Sequence, residues 1–167
     1  VAVLPATDQD RVYFVVNRTV NGSAVRYVEK MALDTEVKPS TLCKVMDAFT
    51  TGTNSPASTG IRVGTHLAGE SVVVWADGAP LLQTIDGYSV PKQFTVDASG
   101  NIALPSHVTN WVAGLPYTAR YKSSRVAYGA AEGTAMLQKQ KVDKLGLIMT
   151  DFVRAGVRYG QQFDNND

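Results

Sequence analysis

The chain has 167 residues, of which 44% are hydrophobic and 19% charged, a composition typical of one globular domain or two small lobes. Its 16 basic and 15 acidic side chains nearly cancel, which argues against a surface built as a whole for nucleic acid. No apolar run approaches the ~18 residues that cross a bilayer, so the sequence predicts no membrane-spanning helix. The single cysteine, Cys43, excludes an internal disulfide framework and a zinc site made of cysteines.

Two residue pairs are the strongest turn signals in the sequence. Asn21-Gly22 separates two segments rich in β-branched and aromatic residues, and both of its residues tolerate the positive φ of a tight type I′ turn. Asp77-Gly78 follows a run of valines and has the same tolerance. Each pair therefore predicts a hairpin between the strands on either side.

Predicted strands follow one another at short spacing along the first 121 residues. Residues 98–100 predict a hairpin loop, and Gly114 to Pro116 predict a turn that redirects a strand, because Pro116 fixes its own φ. Residues 34–60 predict an irregular loop, with one short ordered piece at 43–49. The predicted strands cover residues 11–17, 24–31, 70–75, 79–85, 93–97, 101–104, 110–113 and 117–121.

This pattern predicts an all-β, mainly antiparallel fold, a β-sandwich or small barrel built of hairpins with long loops and at most one short helix. We place an N-terminal hairpin and irregular loop at 1–60 and a small barrel or sandwich lobe at 61–122. Residues 123–167 predict a loop or short helix, then a C-terminal hairpin that packs back on the N-terminal one. Helix formers at 130–140 mark the candidate helix.

The candidates for chemistry do not form a recognised constellation. His66 and His107 lack the spacing of zinc ligands, so turn positions are the favoured interpretation. Cys43 as a nucleophile would need a partner histidine and a lowered pKa, and a half-buried small residue is the favoured alternative. Residues 97–101 resemble a calcium loop, although a β-turn accounts for the same residues. We therefore predict no enzyme activity and assign no catalytic, cofactor-binding or metal-binding residue.

Basic residues are concentrated near the C-terminal end. Residues 120–158 hold eight basic and three acidic side chains, a net charge of +5. We favour two interpretations of this charge: a strand face exposed to solvent, or a surface that contacts an acidic neighbouring subunit. A face that lies near DNA phosphates is the alternative. The candidate interface or DNA-channel residues are Lys139, Lys141, Lys144, Arg154 and Arg158.

Four aromatic residues raise a separate binding hypothesis. Trp75, Trp111, Tyr117 and Tyr121 have the ring faces that a sugar-stacking platform requires. Aromatic residues of strands are more often part of a core or anchors of an interface. A carbohydrate- or receptor-binding β-sandwich module therefore stays open as an alternative function.

Three blocks of the sequence carry a resemblance. They are residues 11–22 (RVYFVVNRTVNG) with 25–30 (VRYVEK), residues 64–78 (GTHLAGESVVVWADG), and residues 102–105 (IALP) with 112–117 (VAGLPY). In this order they resemble large tail proteins of bacteriophages, above all the nozzle, or tail tubular, proteins of short-tailed phages and related tail hub proteins. Thr65 and Ala68 stand where that pattern has Leu and Glu.

The resemblance implies a β-rich structural protein of the virion tail, assembled as a ring around the DNA channel and without an enzymatic role. It implies as partners other copies of the chain, neighbouring tail proteins and, transiently, the exiting DNA. The protein would be made in the cytoplasm of the bacterial host. A tail-associated hydrolase is a further alternative.

The first residue is Val1 rather than methionine, and no capping pattern closes the chain. We therefore interpret the sequence as a piece of a longer polypeptide, with a processed mature chain as the alternative. The resemblance agrees with the first interpretation, because those tail proteins are much longer. Residues that complete a site would then lie elsewhere in the parent chain.

Overall fold

The computed structural model describes residues 2–4, 11–33 and 46–122, together with Gly146 and Ile148. The chain divides into two compact units, Val1–Tyr117 and Thr118–Asp167, and every strand described here lies in the first. These strands pair antiparallel throughout, which confirms the predicted all-β fold and is consistent with a sandwich or small barrel. The candidate helix at 130–140 and the predicted C-terminal hairpin lie outside the described residues.

Ten strands and one short 3-10 helix, Thr65–Leu67, make up the described part of the first unit. The strands are β1 (Ala2–Leu4), β2 (Arg11–Val20), β3 (Ser23–Lys30), β4 (Asp47–Arg62), β5 (Ser71–Ala76), β6 (Ala79–Pro80), β7 (Leu82–Ile85), β8 (Tyr88–Pro91), β9 (Gln93–Thr95) and β10 (Asn101–Leu115).

The N-terminal sheet has the order β1-β2-β3. Asn21 and Gly22 form its tight turn with φ values of 48° and 78°, as the predicted type I′ hairpin requires. The turn sets the register of β2 and β3, from Val20 opposite Ser23 to Tyr13 opposite Lys30. Because side chains alternate between faces, one face of this hairpin is half-buried and the other is exposed.

The main sheet has the order β4-β10-β5-β6, so the long strand β10 pairs with β4 on one side and β5 on the other. Strand β5 also pairs with β9. The chain between β6 and β9 folds into the separate two-stranded hairpin β7–β8, which we call the inserted hairpin. Backbone bonds from Leu81 N–H to Val74 O and from Lys92 N–H to Leu81 O, at 2.9 and 2.8 Å, fix its base.

The main core cluster lies on one face of the main sheet, and Val73 and Val112 are buried on the other face. Fully burying one valine or leucine side chain contributes roughly 1.5–3 kcal/mol, so this cluster is the main source of stability in the described part of the unit. Its buried members are Ile61, Val63, Leu67, Val72, Val74, Ala76, Phe94, Val96, Ile102, Leu104, Val108, Trp111 and Ala113.

Strand β4 corrects the loop predicted at 34–60, since residues 47–60 are strand. The segment is rich in Thr, Ser and Gly and lacks an apolar alternation, because most of its side chains are not buried and its order comes from pairing with β10. The strand also crosses the boundary predicted between residues 60 and 61.

Strand β10 corrects the predictions that follow residue 93. The strands predicted at 101–104 and 110–113 are one continuous strand, and β9 pairs with β5 rather than with β10 across the loop at 98–100. The strand predicted at 117–121 is wrong, since residues 116–122 have no regular structure. Pro116 lacks the N–H that would extend the ladder. The strand predicted at 79–85 is interrupted at Leu81.

Candidate functional site

The turn at Asn21 joins the first sequence block to the second. The Asn21 N–H donates to Ala68 O at 2.8 Å, just after the 3-10 helix. A Cβ on Gly69, whose φ is +81°, would lie 3.4 Å from the Asn21 backbone. The close approach therefore fixes the tip of the N-terminal hairpin against this loop.

The carboxylate of Asp77 joins the β5–β6 turn to β10. Asp77 Oδ1 accepts from the Asn110 N–H at 2.8 Å, and Oδ2 accepts from the Thr109 N–H at 3.1 Å. The Asp77 N–H in turn donates to Asn110 O at 2.9 Å. Asp77 and Gly78 have φ values of 47° and 89°, as predicted for a tight turn. An aspartate at position 77 both tolerates this φ and provides the carboxylate that binds β10.

Gly114 has a different position from the one predicted. It lies within β10 rather than at a turn, and a Cβ there would lie 2.8 Å from Met46 Cβ and 2.9 Å from Asp47 O. Glycine is required at this position by the close approach of the start of β4. Pro116 is the first residue after β10 and is exposed.

A cleft of about 220 Å³ lies where the N-terminal hairpin meets the start of β4. Arg18 and Glu29 form a bidentate ion pair in its wall, with Nε to Oε1 at 2.7 Å and Nη2 to Oε2 at 2.8 Å. The hydrogen bonding to Glu29 raises the pKa of Arg18, although partial burial acts in the opposite direction. The two charges satisfy each other, so the pair is a structural contact.

His66 also lines this cleft. Its Nε2 lies 3.4 Å from Ala48 O, and Phe49 is a further lining residue. At that distance the contact is a weak hydrogen bond, which the ring donates in the tautomer that has its proton on Nε2. This geometry agrees with a turn histidine. Among the residues that the structure describes, no group of three or more His, Cys, Asp or Glu side chains is placed to hold a metal ion.

The residues resembling a calcium loop form a turn closed by a side chain. Asp97 Oδ1 accepts from the Ser99 N–H at 2.9 Å and from the Asn101 N–H at 2.8 Å. The bond from the Asn101 N–H is the largest cause that lowers the pKa of Asp97. Desolvation acts in the opposite direction, and the bond from the Ser99 N–H adds to the lowering. Gly100 has the left-handed φ of +83° that the turn requires. These bonds close a turn over residues 97–101, which is the turn predicted there.

The four aromatic residues of the sugar-stacking hypothesis have different environments. Trp111 is buried in the core, with its Nε1 donating to Asn54 Oδ1 at 3.4 Å. Trp75 is partly buried, and its Nε1 has no hydrogen-bond partner among the described residues, whereas Tyr117 and Tyr121 are exposed. A platform that uses the Trp111 ring is therefore excluded.

Sequence reasoning missed two exposed apolar patches. Val15 and Val28 lie opposite each other on the outer face of the N-terminal hairpin, and Ile85 and Tyr88 lie opposite each other near the tip of the inserted hairpin. Alternation from Asn17 and Thr19 places Val15 on the exposed face, which is the signal that was available. The predicted basic residues Lys139, Lys141, Lys144, Arg154 and Arg158 lie outside the described residues.

Comparisons with models of protein families, with curated proteins and with solved structures gave no match. The part of the chain that the structure describes contains no helix long and apolar enough to cross a membrane.

Proposed function

We propose that this chain is a structural domain of a bacteriophage tail, part of a nozzle, tail tubular or hub protein that assembles as a ring around the DNA channel. The observation that supports this proposal is the meeting of the three sequence blocks in one compact unit. Asn21 of the first block bonds to Ala68 of the second, and Val112 of the third pairs with Trp75 of the second. The three blocks are far apart along the chain, and their residues thus contact one another in the same folded unit.

The roles of the block residues also support a structural function. Asn21, Gly22, Asp77 and Gly78 form tight turns, and Gly114 allows a close approach of two strands. Such residues fix register and packing, and they contain no acid–base pair or nucleophile. The proposed partners are further copies of the chain and neighbouring tail proteins, and the proposed location is the virion tail after synthesis in the host cytoplasm.

Quantitative peptide mass spectrometry on purified virions of the encoding phage tests the proposal. Peptides of this chain are expected at a fixed copy number per particle, within a longer protein. Particles that lack tails, purified in the same way, are the matched control and should contain none. Absence of the peptides from complete virions would overturn the proposal and favour the sugar-binding module, which a glycan array tests, or the hydrolase.

The contact with DNA is a separate part of the proposal. Neutralising Lys139, Lys141 and Lys144 together should slow DNA ejection without affecting tail assembly, because cationic side chains attract phosphates. Neutralising Lys38, Arg62 and Lys92 removes the same charge elsewhere in the chain and serves as the control. Normal ejection by the first variant would remove the DNA-channel role from these residues and leave the ring proposal in place.

A further inference from the structure

The inserted hairpin β7–β8 exposes apolar surface that the described part of the chain leaves uncovered. Ile85 and Tyr88 face each other next to the turn, with 50% and 71% of their surfaces exposed. A two-stranded hairpin alone is marginally stable in water, and large exposed apolar side chains grouped together mark interaction sites. The acidic Asp86 forms the turn between them, with a φ of 50°. We call Ile85, Asp86 and Tyr88 the tip patch.

The outer face of the N-terminal hairpin has a complementary surface. Val15 and Val28 form a cross-strand pair there, 63% and 72% exposed. Arg26 lies on the same face, two residues from Val28, and its Nε donates to Asn17 Oδ1 at 3.1 Å. The side chains that alternate onto this face include basic but no acidic residues. We call Val15, Arg26 and Val28 the hairpin-face patch.

Charge distinguishes the two regions that contain the patches. Residues 11–33 carry Arg11, Arg18, Arg26 and Lys30 against Glu29, a net charge of +3. Residues 46–117 carry Arg62 and Lys92 against Asp47, Glu70, Asp77, Asp86 and Asp97, a net charge of −3. Opposite potentials steer encounter and fix orientation, so the region of one patch attracts the region of the other.

We infer that the tip patch of one copy of this chain docks on the hairpin-face patch of a second copy. Ile85 and Tyr88 would cover Val15 and Val28, and Asp86 would lie next to Arg26. Both patches remain exposed within one chain, so neither is occupied by the other in the same molecule. Because the two patches differ, the contact is head-to-tail, and a dimer keeps one free tip patch and one free hairpin-face patch, to which further copies can add.

The contact between copies is inferred from the two patches alone. Only the closure of such contacts into a ring rests on the proposed tail function. Sedimentation velocity of the full chain over a concentration series tests the contact between copies. The wild-type chain is expected to associate reversibly beyond the dimer, and added salt should weaken the association. Val28→Asp and Tyr88→Asp should each weaken association at least about thirtyfold, the loss typical of a central interface anchor.

Mixing the two variants gives the sharpest result. A Val28→Asp chain keeps its tip patch and a Tyr88→Asp chain keeps its hairpin-face patch, so the mixture should form a heterodimer and no larger species. Ser89→Asp, on the opposite face of β8, is the matched control and should associate as the wild type does. Circular dichroism and unfolding temperatures of each variant identify any that fail to fold, and the heterodimer itself requires both to be folded.

A charge exchange provides a second test. Arg26→Glu and Asp86→Lys should each weaken association, and the double variant should recover it, because both partners of the pair are exchanged. A wild-type chain that stays monomeric, a mixture without heterodimer, or single variants that associate as the wild type would each overturn the inference. Failure of the tail proposal gives a different result, since peptides would then be absent from virions while the contact in solution persists.

Discussion

The indole ring of Trp111 lies directly over Gly52, its cross-strand neighbour on β4. A Cβ at position 52 would come within 2.3 Å of the ring carbon Cζ2. The largest side chain of the core thus occupies the volume that every residue other than glycine would need. Packing of the Trp111 ring against Gly52 thus holds the edge strand β4 against the core, since β4 has few apolar side chains of its own.

Gly52→Ala should destabilise the protein by about 1–3 kcal/mol, because the added methyl group overpacks against the Trp111 ring. Denaturant unfolding followed by tryptophan fluorescence measures the loss. Gly60→Ala lies in the same strand, where the nearest atom to the added Cβ is Ser58 Oγ at 3.8 Å, and should be close to neutral. Equal stability of the two variants would contradict the packing role of Gly52.

Asp77→Ala should destabilise the protein by about 1–3 kcal/mol, because the N–H groups of Thr109 and Asn110 lose their acceptor. Amide hydrogen exchange at residues 109 and 110 should become faster. Asp86→Ala is a matched control, since Asp86 has the same positive φ in its turn, and its carboxylate accepts no hydrogen bond from the described residues. Equal losses in the two variants would assign the effect to the backbone of the turn.

Arg18 and Glu29 should show a coupling energy of about 0.5–1 kcal/mol in a double-mutant cycle, because their side chains are still 20% and 26% exposed and solvent screens the pair. Arg18→Ala, Glu29→Ala and the double variant complete the cycle, with unfolding measured at low and high salt. The coupling should decrease as salt is added. Arg26→Ala, on the exposed face, is the control for losing one charge from the same hairpin.

Stability should depend on Asp97 at acidic pH. Its pKa in the folded protein lies below the ordinary 3.8, so the unfolded chain binds the proton more readily than the folded one. The stabilising contribution of the ionised carboxylate is therefore present above the ordinary pKa and is lost as the pH falls from there through the folded value. Unfolding temperatures measured across this range should fall less steeply for Asp97→Ala than for the wild type. Parallel profiles would contradict the role of the hydrogen bonds from Ser99 and Asn101.

The sequence was sufficient for the features that depend on neighbouring residues. Asn21-Gly22 and Asp77-Gly78 predict their turns because the required positive φ is a property of the residues themselves. The run of valines before Asp77 predicts β5 for a similarly local reason, because β-branched residues favour strands. The antiparallel all-β fold follows from a succession of such signals.

Features that depend on distant residues were not predictable in this way. The order of β4 comes from pairing with β10, and the space at Gly52 has meaning only when Trp111 is known to lie above it. The use of Gly114 for a close approach likewise depends on Met46 and Asp47. Of the candidate site, the turn residues were found from sequence, whereas the two exposed patches required the register of both hairpins.

The position of β10 in the chain has a consequence for synthesis. This strand is the last to leave the ribosome among those of the main sheet, yet it pairs with β4, which precedes it by a long stretch of chain. Until residues 101–115 emerge, β4 and β5 both lack β10, the strand that pairs with each of them. The nascent protein therefore exposes an incomplete sheet until β10 emerges, and this strand closes the core in one late step.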